Sequence, residues 1–376
     1  MNKILVFDEK ITGHHLEYLN HIYLKALQNK ETEFIFAVPE QFQIDKSKLL
    51  WPEAENIKFR FLTSDELVHD SGKGILYVAW HGSRLIRKIL LEVKPDSLFL
   101  IFMIRYMPFL PFFVPHGISV SGIIYRIYLY TWPLSSIPRK FVDIVLNYLY
   151  SHASCFHKIF ILNDKASSHY LNKLWRTTRY AYLVDPYSGN AESFCKPGIR
   201  HDKLTFLHFG VLLRRKGTIE ILHALKKLSE NEQKRLYIIF AGFVRDEIKS
   251  EFYRLTGELK EKIDMEIHDE FVPYEKLEEY CTISDYLLMP YSQTAQSSGV
   301  ITFAAKYSIP IIGPGKGLLG KLIRKYGLGI SLNDTGRESL CRTFQQCLKN
   351  KPFKIHTNYL SEITIERFQE QIFSAF

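Results

Sequence analysis

Cysteine is scarce and scattered in this 376-residue chain: Cys155, Cys195, Cys281, Cys341 and Cys347 form no C-x-x-C pair and have no histidine at ligand spacing. That argues against a disulfide scaffold and a structural zinc site, and for a reducing, cytoplasmic compartment. No Walker-type glycine loop and no G-x-S-x-G elbow occurs, so a P-loop phosphotransferase and a serine hydrolase have no footing. No Asp-x-Asp stands at a strand end, so any bound phosphate is expected to be neutralised by protein donors, with no metal and no cofactor. Long apolar runs are also missing. The candidate SLFLIFMIRYMPFLPFFVP (97–115) is broken by Arg105, Pro108, Pro111 and Pro115, which leaves nothing long enough to span a bilayer. The opening MNKILVFD reads as a strand at once, with no targeting segment ahead of it.

Acidic residues are absent between Asp96 and Asp143. From 101 to 200 there are 11 Lys/Arg against 4 Asp/Glu, a difference of +7 within a net charge of +9. The same region is crowded with rings, from Phe102 and Tyr106 through Phe112 and Phe113 to Tyr125 and Trp132. Most of these rings are expected in a buried core. A basic, aromatic surface resting on anionic lipid at the inner face of a membrane is the functional alternative. The cations cluster on no recognisable reading element, so nucleic acid is not an expected partner.

Hydrophobic residues make up 46% of the chain and charged residues 24%, as in a folded globular protein, and the length predicts two domains. Apolar runs alternate with helical patterns. KILVFD (3–8), EFIFAVP (33–39), IKFRFL (57–62), SLFLIF (97–102), ISVSGIIYR (118–126), KIFILND (158–164) and AYLVDPY (181–187) read as strands. HGSRLIRKILLEV (81–93) and RKFVDIVLNYLY (139–150) read as helices between them. SGNAESFCKPGIRHDK (188–203) has no periodicity and reads as a linker. Alternation restarts with LTFLHFG (204–210), LYIIFAG (236–242), IDMEIHDEFV (263–272), YLLMPY (286–291) and IPIIG (309–313). The expectation is an α/β protein of two doubly wound Rossmann-like domains facing a cleft. A first domain at 1–187 and a second at 204–355 are followed by a segment at 356–376 whose helix packs back toward the first.

Candidate site residues fall at strand carboxyl ends. After the first strand, Gly13 allows close backbone approach, and His14 or His15 at a helix start suits an oxyanion; a capping turn with exposed histidines is the plain alternative. After the strand ending at Gly210 come Arg214, Arg215 and Lys216 just ahead of Gly217 and a helix. Such cations beside a helix N-terminus suit an anion, although by charge count alone a solvated charge run is the better explanation. The stretch YSQTAQSSGV (291–300) is uncharged and leads into a helix. Its amides at Ser297, Ser298, Gly299 and Val300 point partial positive charge outward, with simple capping by serine as the plain alternative. Gln293 and Thr294 add polar side chains beside it.

Taken in order, these second-half features resemble the family-4 type of retaining glycosyltransferases with the GT-B fold, the glycosyl transferases group 1. The pieces are a strand ending in Gly210, then Lys216-Gly217 and a helix carrying Ala224; a strand ending Ala241-Gly242; EFVPYEKLEEYCTISDYLLMPY (270–291); and SSGVITFAAKYSIPIIG (297–313). The resemblance spans about 204–332; in the first half only the architecture and GHHLEYL (13–19) match. It implies that Lys216 grips a donor diphosphate, aided by Arg215 or Arg214, since the family's arginine after the strand glycine is Val211 here. It also implies that the family's paired glutamates are missing: their places are Ala295 and Phe303. The first normally holds the donor sugar and the second the ribose. Gln293 and Thr294 are candidates to take over the sugar.

The expected function is therefore metal-independent transfer of a hexosyl-type unit, with retention, from a nucleotide-sugar to a glycan or lipid-linked acceptor in bacterial surface polysaccharide synthesis. Lys216, Arg215 and His14 are the candidate catalytic residues. Gly13, Gly210, Phe271, Val272 and the 293–300 groups would bind donor, and Arg105 and Arg126 acceptor. The alternatives are a catalytically inactive GT-B protein that binds a sugar nucleotide or glycan, and a sugar-nucleotide epimerase.

Overall fold

Strands covered on both faces read as unbroken apolar runs, and KILVF is one: Ile4 to Phe7 are all buried. The computed structural model describes residues 2–10, 14–43, 51–67, 72–125, 128–132, 135–186, 202–350 and 352–376. Among them the chain divides into two compact units, Met1–Ser188 with Thr364–Phe376, and Gly189–Ile363.

The first unit holds β1 (Asn2–Phe7), β2 (Thr32–Pro39), β3 (Ile57–Leu62), β4 (Ser97–Leu100), β5 (Ser119–Ile124), β6 (Phe156–Leu162) and β7 (Tyr180–Leu183). They form a seven-stranded parallel sheet in the order β3-β2-β1-β4-β5-β6-β7. One core packs Ile86, Ile89 and Leu90 of the helix Ile75–Val93 with Tyr150 of the helix Ile137–His152 and Leu171 of the helix Lys165–Trp175. The C-terminal helix Ile365–Phe373 closes the unit. Phe368 and Ile372 are fully buried, Gln369 Nε2 donates to the His21 carbonyl at 2.8 Å, and the Val184 amide donates to Gln371 Oε1 at 2.9 Å.

The second unit holds β8 (Leu204–Phe209), β9 (Leu236–Ala241), β10 (Asp264–His268), β11 (Tyr286–Leu288), β12 (Ile311–Pro314) and β13 (Gly329–Leu332). This parallel sheet runs β10-β9-β8-β11-β12-β13. In both units the order reverses beside the first strand, the doubly wound pattern that opens a crevice at the strands' carboxyl ends.

Several elements differ from the sequence reading. β4 stops at Leu100, so Arg105 lies not on a strand end but in the 3-10 turn Met103–Tyr106. β10 stops at His268, which leaves Phe271 and Val272 in the following loop. After β4 the run stays apolar because Ile101 also packs inward, whereas after β10 the polar Asp269 and Glu270 end the ladder before exposed Phe271 and buried Val272. The helix expected to start at 81 starts at Ile75, with Gly74 as an extended cap. Among the described residues no helix is long and apolar enough to cross a membrane.

Candidate functional site

In the second unit the crevice lies between the ends of β8 and β11. Gly210 follows β8 with φ 86°, a backbone that favours glycine, and the Lys216 ammonium lies over it: a Cβ built there would be 2.8 Å from Nζ. The chain then makes the 3-10 turn Arg214–Lys216 and reaches Gly217, at φ 76°. A Cβ on Gly217 would meet the Pro290 carbonyl at 2.5 Å, so only glycine lets this turn close on the β11 end. The helix Thr218–Lys226 starts immediately after.

His208 locks that arrangement from below. Its Nδ1–H donates to the Leu288 carbonyl at 2.9 Å, and its Nε2 accepts from the Thr218 hydroxyl at 3.0 Å. One buried imidazole thus ties β8, β11 and the helix start together. Burial pushes its pKa down to about 4, against the Leu288 contact that favours the charged form; the Lys216 charge pushes further down. His208 is neutral at physiological pH.

The three cations diverge. Arg214 turns outward to Glu251, 2.6 Å away, and its amide donates to Glu247 Oε1 at 3.0 Å. The Arg215 carbonyl accepts from the Ser292 amide at 2.9 Å, which fixes the start of the 292–298 stretch to the turn. Among the described residues neither the Arg215 guanidinium nor the Lys216 ammonium has an ion-pair partner; Lys216 Nζ sits 5.5 Å from the Tyr291 ring centroid. So the charge run is divided: one residue belongs to the surface and Lys216 faces the strand end.

The helix Gly299–Tyr307 opens on Ser298, whose backbone is extended (φ −143°, ψ 131°) and whose hydroxyl makes no capping bond. Simple capping by Ser298 is therefore not what holds this end. The Gly299 and Val300 amides have no acceptor among the described residues, and the Cβ direction of Gly299 is open for 4 Å. Ser297 is half-buried and engaged with its surroundings. Gln293 is exposed. Thr294 is tied elsewhere: its carbonyl accepts the Leu318 amide at 2.8 Å, and its side chain packs on Gly317.

At the start of this helix the structure buries two apolar groups. Ala295 and Phe303 are each 5% exposed. The Phe303 ring lies edge-on to Phe209 at 5.2 Å and parallel to Tyr274 at 6.0 Å. A carboxylate in place of either would be desolvated. Beside it, Phe271 is 71% exposed and Val272 is buried.

In the first unit Asp8 and Glu9 follow β1 directly. Asp8 Oδ2 holds His15 Nδ1 at 2.6 Å, and burial raises the Asp8 pKa while His15 and the Lys10 amide pull it back. Glu9 Oε2 accepts from Arg105 Nε at 2.7 Å, with the two side chains only 4% and 10% exposed. Arg105 is thus committed to an internal ion pair. His15 stacks on Tyr125 at 6.0 Å, and Tyr18 donates to Asp185 Oδ1 at 2.5 Å. Burial raises the pKa of Tyr18 and of Tyr125 far above the usual phenol value. His14 opens the helix His14–Ala26; Gly13 and Arg126 lie outside the described residues. Asp8 was missed as a site residue although it stands at the first strand's end in KILVFD, and His208 was missed because a histidine inside an apolar strand reads as core. Among the described residues no group of three or more His, Cys, Asp or Glu is placed to hold a metal.

The comparisons with known proteins agree with this architecture. No curated protein matches the chain. Over its full length it is similar in structure to Anabaena HepE in complex with UDP and glucose, at 14% identity, covering 100% of this chain and 99% of that one, TM-score 0.67. WaaG, a glycosyltransferase involved in lipopolysaccharide biosynthesis, follows at 15% identity, 98% and 94% coverage and TM-score 0.62. Sucrose-phosphate synthase from Thermosynechococcus elongatus aligns at 12% identity, 99% and 95% coverage and TM-score 0.66. These likenesses show the fold, two Rossmann-like domains of the GT-B type. The family model for glycosyl transferases group 1 matches residues 190–366, which span the second unit and the start of the C-terminal helix.

Proposed function

We propose that the protein is a glycosyltransferase of the retaining, family-4 type. In this reading it moves a hexosyl unit from a nucleotide-sugar donor to a hydroxyl of a glycan or lipid-linked acceptor in bacterial surface polysaccharide synthesis. The observation that carries it is the Lys216 ammonium over Gly210, without an ion-pair partner among the described residues, at the same sheet end as the open amides of Gly299 and Val300. An ammonium and a helix start converging at a strand's carboxyl end suit a diphosphate.

In the step proposed, the bond from the anomeric carbon to the diphosphate oxygen breaks while the acceptor oxygen bonds to that carbon on the same face. The acceptor's proton passes to the leaving phosphate oxygen. Lys216, Arg215 and the amides at 298–300 stabilise the charge that develops there, without a metal or cofactor. Phe271 offers an exposed ring face to the base, next to the buried Val272. Gln293 is the side chain best exposed to meet the sugar, and Ser297 and Ser298 lie at the phosphate. From the sequence, Gly13 and His14 remain candidates for the donor and Arg126 for the acceptor, whereas Arg105 is committed to its ion pair with Glu9. HepE is described with UDP and UDP-glucose, which makes a uridine diphosphate sugar the first donor to test.

The second reading is an inactive nucleotide-sugar or glycan-binding module, favoured by the apolar burial of Ala295 and Phe303. Incubation of the purified protein with UDP- and GDP-sugars separates the readings. Slow release of the nucleoside diphosphate supports the transferase, and binding without release supports the inert module. Interconversion of sugars with no release supports an epimerase.

A further inference from the structure

The helix Ile137–His152 packs Tyr150, Leu146 and Leu149 on the core but also turns polar side chains inward and a row of apolar ones outward. Its buried side carries Asp143, Asn147 and Ser151, four residues apart, all at 5% exposure or less. Its outer side carries Ile137, Phe141, Ile144 and Tyr148, with Ile137 83% and Phe141 67% exposed. The inward polar side chains are hydrogen-bonded. Asn147 Nδ2 donates to the Asp143 carbonyl at 2.8 Å, the Tyr180 hydroxyl donates to Asn147 Oδ1 at 3.0 Å, and Ser151 Oγ meets the same hydroxyl at 3.3 Å. Rolling the helix to hide its apolar side would break the two bonds to the Tyr180 hydroxyl. A contiguous apolar stripe held outward in this way marks a contact surface.

A second element does the same. The helix Ile75–Val93 exposes Leu76 and Trp80 on its first turns, and Trp80 meets Phe109 and Phe113 edge-on at 5.1 and 4.9 Å. Phe112 beside them is 72% exposed. Both helices pack into one core of the seven-stranded sheet. Each follows a strand's carboxyl end, β3 and β5, so their exposed N-terminal halves share one edge of the unit. That edge is also where Asp8, Glu9 and His15 lie.

Cations predominate around this face: of the acids near its first helix, Glu66 pairs with Arg60 and Lys88 and Glu92 with Arg60, while Asp65 is exposed. Arg84 and Arg87 follow Trp80 at i+4 and i+7 and are exposed, and Lys140 lies 5.8 Å over the Trp132 ring. No acid occurs between Asp96 and Asp143, and Asp143 is buried and paired with Arg139 at 3.2 Å. The matching surface has negative groups above an apolar layer. A second copy of the chain would instead set cations against cations.

We infer that this face, the outer side of Ile137–His152 with Leu76, Trp80 and Phe112, seats the first unit on an anionic lipid bilayer, so that the acceptor is drawn from the lipid. The inference deepens the proposed transfer to a lipid-linked acceptor and rests on that reading for its purpose. The contact is interfacial, with apolar side chains entering the headgroup boundary and the arginines at its level.

The test is co-flotation of the full chain with phosphatidylglycerol/phosphatidylcholine vesicles and with phosphatidylcholine vesicles. Binding is expected to the anionic vesicles, weakening as salt rises. The double variant Phe141→Ser/Ile144→Ser should lose about tenfold or more of that binding, because binding scales with the apolar area inserted. Its thermal midpoint and its donor hydrolysis without acceptor should be unchanged. Independently of any serine variant, the Trp80 emission, taken as the difference from Trp80→Phe, should shift to the blue on anionic vesicles. Equal binding to neutral vesicles, no binding to either, or an apolar face that instead closes a concentration-dependent dimer lost in the double variant overturns the inference. The vesicle assay uses no donor. Absent hydrolysis with intact vesicle binding therefore counts against the transferase reading alone.

Discussion

Lys216 lies directly over Gly210, six residues back in the chain, with Nζ 2.8 Å from the place a Gly210 Cβ would occupy. The glycine is what allows a positive charge to rest on a strand end. Two variants should therefore fail differently. Lys216→Ala removes the charge alone and should cost about 2–4 kcal/mol in the transition state for donor cleavage, like the loss of an oxyanion donor. Its thermal midpoint should not move. Gly210→Ala forces an alanine into a left-handed backbone, at about 1–2 kcal/mol, and displaces the ammonium as well. It should lose both activity and stability. Wild-type hydrolysis by Lys216→Ala would mean that the Arg-Arg-Lys run is only a solvated face.

His208 predicts a pH dependence. Its folded pKa of about 4 lies below the ordinary 6.5, so between these values the unfolded chain binds more protons than the folded one. Stability is then fully present above pH 6.5 and falls as pH falls toward 4, by on the order of 3 kcal/mol at most. Urea unfolding at pH 7 and pH 5 measures it, with His208→Gln as the reference that lacks the titrating ring. A wild-type minus variant difference that is the same at both pH values would show that the imidazole is not held neutral.

Much of the fold was legible because both sheets are buried on both faces. LTFLHF and KILVF have no polar side to show, and only parallel strands under helices read that way. The order Gly210, Lys216-Gly217, Ala241-Gly242 and the Pro310-led strand was enough to point to the group 1 domain that residues 190–366 match.

Long-range pairing was not legible. Arg105 at a loop start looks like a free cation, and nothing local shows that Glu9, 96 residues earlier, takes it. Periodicity in RKFVDIVLNYLY shows that a helix has two faces but not which one meets the core. The ordinary expectation puts Phe141 and Ile144 inside, and Tyr180 decides otherwise by bonding Asn147. Ser298 likewise reads as an N-cap by residue type, yet its hydroxyl caps nothing.

The fit of the C-terminal helix gives a stability prediction. His21 is 4% exposed under Phe368, 5.9 Å from that ring, and neither ring nitrogen has a partner among the described residues. Burial lowers its pKa, so the ring is neutral and its N–H is unbonded. An unmade buried bond costs about 1–3 kcal/mol. His21→Leu removes the polar atoms and keeps the backbone carbonyl that Gln369 uses, so it should raise stability by about 1 kcal/mol. A lower melting temperature would show that the ring does bond in solution.

The uncharged loop at 293–299 is the sharpest test of the donor site. If a diphosphate sits at the start of Gly299–Tyr307, the groups that hold it are backbone amides, and a nearby carboxylate would repel it. Three changes at Ser298 then separate backbone from side chain. Ser298→Ala leaves the Gly299 and Val300 amides in place and removes a hydroxyl that caps nothing, so donor affinity and stability should barely change. Ser298→Asp sets a negative charge beside the diphosphate and should abolish binding, although aspartate is a good cap and should not destabilise the helix. Ser298→Val keeps the extended backbone but adds branched bulk at the amides, and should weaken binding without adding charge. Calorimetry with a uridine diphosphate sugar reads all three, and thermal melting confirms that each is folded. Because Phe303 is packed between Phe209 and Tyr274 and offers the ribose no acceptor, wild-type affinity itself should be modest. Binding by Ser298→Asp equal to wild type would mean that the phosphate is elsewhere and that the open amides face only water.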